Sequence, residues 1–180
     1  MRNRLNLTAV SALAALALAC GNGSTVSDGG DTIVDDPSAA ASSKTAALTK
    51  KVGQSVAVSN SSQAITYTVT KTAIEPGDDF NKPTNGVWLA AYLTVSVSKG
   101  SSFVCACELS FVEPAGTVHE STYAGLDGYK AFESADVAAG QKTAGWVFFD
   151  TSKSSLKGGK IQLKVANLLT DNEYAYWTLP

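Results

Sequence analysis

Alternation restricts this chain more than any other feature. "AITYTVT" sets Ile65, Tyr67 and Val69 on one side and Thr66, Thr68 and Thr70 on the other. "VWLAAYLTVSV" repeats the pattern, with Val87, Leu89, Ala91, Leu93, Val95 and Val97 on one face and Trp88, Tyr92, Thr94 and Ser96 on the opposite face. A period of two, rich in β-branched and aromatic residues, means a strand with one buried face. "SVAVS", "SFVCACELSFV", "TVHE", "GWVFFD", "KIQLKV" and "YAYWTL" read as further strands, separated by turn text such as "EPGDDFNKPTNG", "VSKGSS", "EPAG" and "KGG". Many short strands with turns and no helix between them predict an all-β sandwich of two antiparallel sheets over residues 52–180.

The first 51 residues have a different character. "MRNRLNLTAVSALAALALAC" begins with Arg2 and Arg4, runs through Leu- and Ala-rich text and ends on small residues before Cys20. That is the layout of a secretory signal peptide over residues 1–19. Its apolar stretch is shorter than the roughly 20 residues a membrane span needs. Residues 20–51 are dominated by Gly, Ser, Thr, Asp and Ala without a sustained apolar period. Such text buries too little surface to offset its ordering entropy. It reads as a flexible tether with a reach of roughly 30 Å.

The residues "LALAC", Leu16 to Cys20, resemble the lipobox of bacterial lipoproteins, although Ala17 stands where that pattern usually has leucine. The resemblance implies cleavage before Cys20 and lipidation of its sulfur. A two-chain anchor holds a membrane far better than one acyl group, since each buried methylene adds about 0.8 kcal/mol. Cleavage removes both arginines, so every remaining cation is lysine and acids outnumber bases. A net acidic chain without the guanidinium fork is a poor binder of nucleic acid or phosphate.

Three stretches carry a second likeness. They are "GQSVAVSNSSQAITYTVTKTAI", "PTNGVWLAAYLTVSVSKGSSF" and "VAAGQKTAGWVFFDTSKSS". Together they resemble the telokin-like immunoglobulin-fold domain found on bacterial lipoproteins and secreted antigens. The likeness spans about residues 52–180 and implies an immunoglobulin-like sandwich. It implies no catalytic residue.

Cys105 and Cys107 are the first candidates for chemistry, in a compartment that permits disulfides. Three readings stand open. As core thiols they would share an apolar stripe with Phe103, Leu109 and Phe111. As a mutual disulfide they meet a geometric obstacle. Residues two apart on a strand are about 6.6 Å apart, whereas a disulfide wants Cβ atoms near 3.8 Å. A bend at Ala106 would be required. As metal ligands they would have His119 as the only histidine to help.

His119 in "TVHEST" has neither a nucleophile elbow nor a second histidine, so hydrolase and zinc-protease motifs are missing. A solvated strand histidine is expected. "SSLK" (Ser154–Lys157) and "GGK" (Gly158–Lys160) read as polar loops. Glu75, Asp78 and Asp79 offer hard oxygens for calcium, but without EF-hand spacing, and an exposed turn is expected there. Trp88 and Tyr92 share the second face of their strand and would form a ligand platform if that face were open.

These readings converge on a non-enzymatic, lipid-anchored lipoprotein of the bacterial cell envelope. Its domain would present a binding or interaction module to a protein or envelope component. No cofactor, metal or nucleic acid is expected. The alternative is a redox or metal-handling envelope protein using Cys105 and Cys107.

Overall fold

The computed structural model describes residues 25–28, 47–166 and 172–180. The signal peptide expected at 1–19 and the lipidation expected at Cys20 lie outside the described residues. Among the described residues, strands dominate and two short 3-10 turns are the only helical elements. None of the described helices is long and apolar enough to cross a membrane.

Two five-stranded sheets form the sandwich. The strands are β1 (Thr25–Asp28), β2 (Leu48–Lys51), β3 (Ser55–Ser59), β4 (Ala64–Glu75), β5 (Val87–Lys99), β6 (Ser101–Val104) and β7 (Leu109–Val112), then β8 (Val118–Glu120), β9 (Ala135–Ala138), β10 (Lys142–Thr151), β11 (Lys160–Ala166) and β12 (Asn172–Thr178). One sheet has the order β1-β3-β4-β5-β10, the other β2-β12-β11-β7-β8, and β6 and β9 form a small ribbon.

The alternating residues meet between the sheets. Tyr67 and Val69, then Leu89, Leu93 and Val95, pack from the first sheet. Leu109, Phe111, Ile161, Leu163 and Trp177 answer from the second. Trp177 is fully buried, and its indole Nε1 donates to the Gln54 carbonyl at 2.8 Å, so its one polar atom is satisfied. Each large side chain of this kind contributes about 1.5–3 kcal/mol by leaving water. The layer is therefore the main source of stability.

Four features depart from the sequence reading. First, two strands fall inside the segment read as tether. β1 pairs with β3, and β2 pairs with β12. Secondly, the β2–β12 pair is parallel, in a sandwich otherwise built of antiparallel pairs. No hairpin links these distant segments, so no turn imposes an antiparallel partner.

Thirdly, "SFVCACELSFV" is two strands. A 3-10 turn, Ala106–Glu108, separates β6 from β7, which belong to different sheets. The expected stripe fails with it: Cys105 is buried, but Phe103 is 60% exposed and Cys107 is also exposed. Fourthly, β4 carries a bulge between Val69 and Lys71. One extra residue reverses the phase of alternation. Ile65, Tyr67 and Val69 point inward, while Lys71 pairs with the outward Tyr92.

Candidate functional site

Register across three strands builds a row on the outer face of the first sheet. Lys71 of β4 lies opposite Tyr92 of β5, which lies opposite Trp146 of β10. The Tyr92 and Trp146 rings meet edge to face with centroids 5.2 Å apart. The Lys71 ammonium lies 5.2 Å from the Tyr92 centroid and 5.1 Å from that of Trp146. Such cation–π contacts contribute about 0.5–1 kcal/mol at an accessible site. Tyr92 and Trp146 are both partly exposed.

The next positions along this face are closed. Segment 121–132 folds back over β10. Thr122 N donates to the Phe148 carbonyl at 2.9 Å, and Trp146 N to the Lys130 carbonyl at 2.9 Å. Ala124, Leu126 and Tyr129 pack on Trp88, Ala90 and Phe148 as a second small core. Gly145 permits this approach, because a Cβ there would stand 2.5 Å from the Phe132 Cα. Trp88 is consequently 7% exposed, and its Nε1 donates to the Asn81 carbonyl at 2.9 Å. The platform of Trp88 with Tyr92 is corrected on this point: the Trp88 half of that face is covered, and the partly exposed pair is Tyr92 with Trp146, whose ring also meets Tyr129 of the covering segment with centroids 4.7 Å apart.

Trp146 also lines a cleft of about 240 Å³ at the edge of β10, with Tyr123, Phe132 and Phe148 as its other aromatic walls. Ala106, the residue between the two cysteines, reaches the same cleft. Cys105 and Cys107 are joined by a disulfide with Cα atoms 5.1 Å apart. The 3-10 turn supplies the bend that a straight strand lacks. A loop this short contributes at most about 2 kcal/mol of chain-entropy stabilisation. In the disulfide the sulfurs are not thiolates, so metal ligation is closed to them in this state.

The same turn holds Glu108. Its Oε1 accepts from the Tyr67 hydroxyl at 3.3 Å, and its carboxylate also accepts from the Cys105 N–H. Its Oε2 is buried with no hydrogen-bond partner. Burial pushes the carboxyl up to about 7, against the opposing pull of the two donors. Burial first, and then the Glu108 charge, push the Tyr67 phenol well above its ordinary range. Neither residue stands out in the sequence. The glutamate follows a Cys-x-Cys, and Tyr67 reads only as a core position of its strand.

His119 is not the solvated residue expected. Its side chain is 19% exposed, and Nε2 lies 2.9 Å from Glu113 Oε1. Glu113 also accepts from the Ser155 hydroxyl and, at 3.5 Å, from that of Thr151. The Ser155 and His119 contacts hold its carboxyl below the usual range. Here the carboxylate stands between hydroxyl and imidazole, so the histidine is not placed to deprotonate serine. Asp78 closes its own turn by accepting from Phe80 N and Asn81 N at 2.8 and 2.7 Å, and those bonds lower its pKa. Asp79 reaches Lys82 at 3.5 Å, and Glu75 accepts from the Tyr129 hydroxyl. These acids engage different partners. Among the described residues no three metal-ligating side chains converge.

No family model matches the chain, and no curated protein does. Two solved structures share its architecture. A secreted protein of Mycobacterium tuberculosis, MPT63, superposes with a TM-score of 0.57 at 17% identity, covering 73% of this chain and 97% of its own. A candidate lipoprotein of Bacillus subtilis, ycdA, gives 0.53 at 12% identity over 71% of this chain. The match spans 38% of that second protein's length. At these identities the likeness establishes a shared β fold.

Proposed function

We propose that this chain is a lipid-anchored, extracytoplasmic lipoprotein of the bacterial envelope whose sandwich binds a protein or envelope component through the Lys71–Tyr92–Trp146 row. The observation that carries the binding assignment is that row. It is a partly exposed aromatic pair with a cation above it, held in register by three strands and bordered by a covered face. Rigid aromatic surface next to a charge is what recognition surfaces use as anchors. The leader and Cys20 support the address, as do fold neighbours described as a secreted protein and a candidate lipoprotein. The telokin-like immunoglobulin domain is the family assignment that accords with this reading.

The test has two arms. In a bacterial host the native chain is expected in the membrane fraction, with a diacylated N-terminal Cys20 by mass spectrometry, and Cys20→Ser in the soluble fraction. Recovery of an unmodified Cys20 at the N-terminus of the mature chain rejects the anchor. For binding, wild type and Tyr92→Ala/Trp146→Ala are compared for retention on isolated envelope. At least tenfold weaker retention of the variant is expected. Equal retention, or none by either protein, rejects the row as the envelope-binding site.

A further inference from the structure

The disulfide turn has an organisation that the binding reading does not use. Its two cysteines are unequally exposed, since residue Cys107 is exposed and residue Cys105 is buried. Its loop is too short to serve as a major staple. The residue between the cysteines lines an aromatic cleft, which gives an incoming group a place to rest beside the bond. A half-buried carboxyl is tied to the N–H of the buried cysteine, with one oxygen unpartnered. Accessible disulfides are the exchangeable ones, whereas buried structural bonds resist reduction.

We propose that Cys105–Cys107 is a thiol-exchange site, opened at Cys107 by an external dithiol, with Glu108 supplying the proton that the departing Cys105 sulfur takes up. A thiolate of the dithiol attacks Cys107 Sγ. The Cys105–Cys107 bond breaks, and its electron pair leaves on Cys105 Sγ, which is protonated by the Glu108 carboxylic acid. The second thiolate of the dithiol then attacks the mixed disulfide, closing its own ring and releasing Cys107 as a thiolate. Protons lost by the dithiol restore the Glu108 acid and protonate Cys107. The protein disulfide gains two electrons and two protons, and the dithiol loses both. Burial that holds the carboxyl near neutrality supports its service as the acid. This activity goes beyond the binding reading and is independent of the lipid anchor.

Dithiothreitol is the probe, added to the full oxidised chain and quenched by alkylation. Mass spectrometry of the tryptic peptide 100–130 reads the product, since that peptide holds Cys105 and Cys107 and excludes Cys20. The native protein is expected to be reduced at least as fast as the same chain in guanidinium, and oxidised dithiothreitol is expected to restore the bond. Native reduction tenfold or more slower than in guanidinium overturns the proposal, because the bond is then a shielded structural one. That comparison needs no variant. Glu108→Gln is expected to slow native reduction about tenfold or more and to leave the rate in guanidinium unchanged. Equal native rates for variant and wild type overturn the role of Glu108.

Discussion

Glu108 ties a residue-scale property to stability through proton linkage. Its carboxyl is raised from 4.5 to about 7 on folding, chiefly by burial. Below pH 4.5 it is neutral folded or unfolded and costs nothing. As pH rises toward 7 the unfolded chain ionises while the folded one resists, so stability falls, and above about 7 the penalty is complete. The shift corresponds to on the order of 3 kcal/mol. Glu113 and Asp78 act in the opposite sense. Their carboxyls are lowered on folding, so their stabilisation is present at neutral pH and lost as pH falls through the folded values. The difference between wild type and Glu108→Gln therefore isolates the one group. Urea melts are expected to show the variant gaining about 2–3 kcal/mol on wild type between pH 4.5 and 8. A difference that stays constant across that range would mean the carboxyl is not desolvated.

Single-residue irregularities decide which elements meet. The bulge after Val69 puts Lys71 beside Tyr92, and Gly145 lets segment 121–132 lie against β10. Gly145→Ala inserts a methyl where the Phe132 backbone stands, so segment or strand must move. Overpacking of this kind costs about 1–3 kcal/mol. Trp88 and Trp146 would both gain water, so a red-shifted tryptophan emission is expected together with the loss of stability. An unchanged spectrum and melting point would show that the cover does not depend on the glycine. The alternation within β4 and β5 is readable from the text because it is local. The bulge is not, since it appears only against the pairing of a neighbouring strand.

Across the whole molecule, the N-terminal text contributes more than a leash. β2 closes the edge of the second sheet against β12, with Thr178 Oγ1 donating to the Lys50 carbonyl at 3.2 Å. A chain beginning at residue 47 is expected to keep that edge, and one beginning at residue 53 to lose it. At about 1 kcal/mol net per hydrogen bond, the shorter chain is expected to be less stable by about 2–4 kcal/mol in urea unfolding. Equal stability of the two chains would make β2 an accessory. The low apolar content of this region hides the strand, because "LTKK" buries little by itself and is held by its partner.

By itself the sequence determined which face of β4 and β5 enters the core and the two-layer β architecture, and it alone carries the expectation of an export signal at residues 1–19. These follow from composition and short-range period, which act before any long-range contact forms. Tertiary structure alone decided that the Cys-x-Cys tract bends into a closed disulfide, that Trp88 is covered while Tyr92 meets Trp146, and that Glu108 is stranded beside Tyr67. Each depends on residues far apart in the chain, where register, sheet membership and desolvation are properties of the assembled fold.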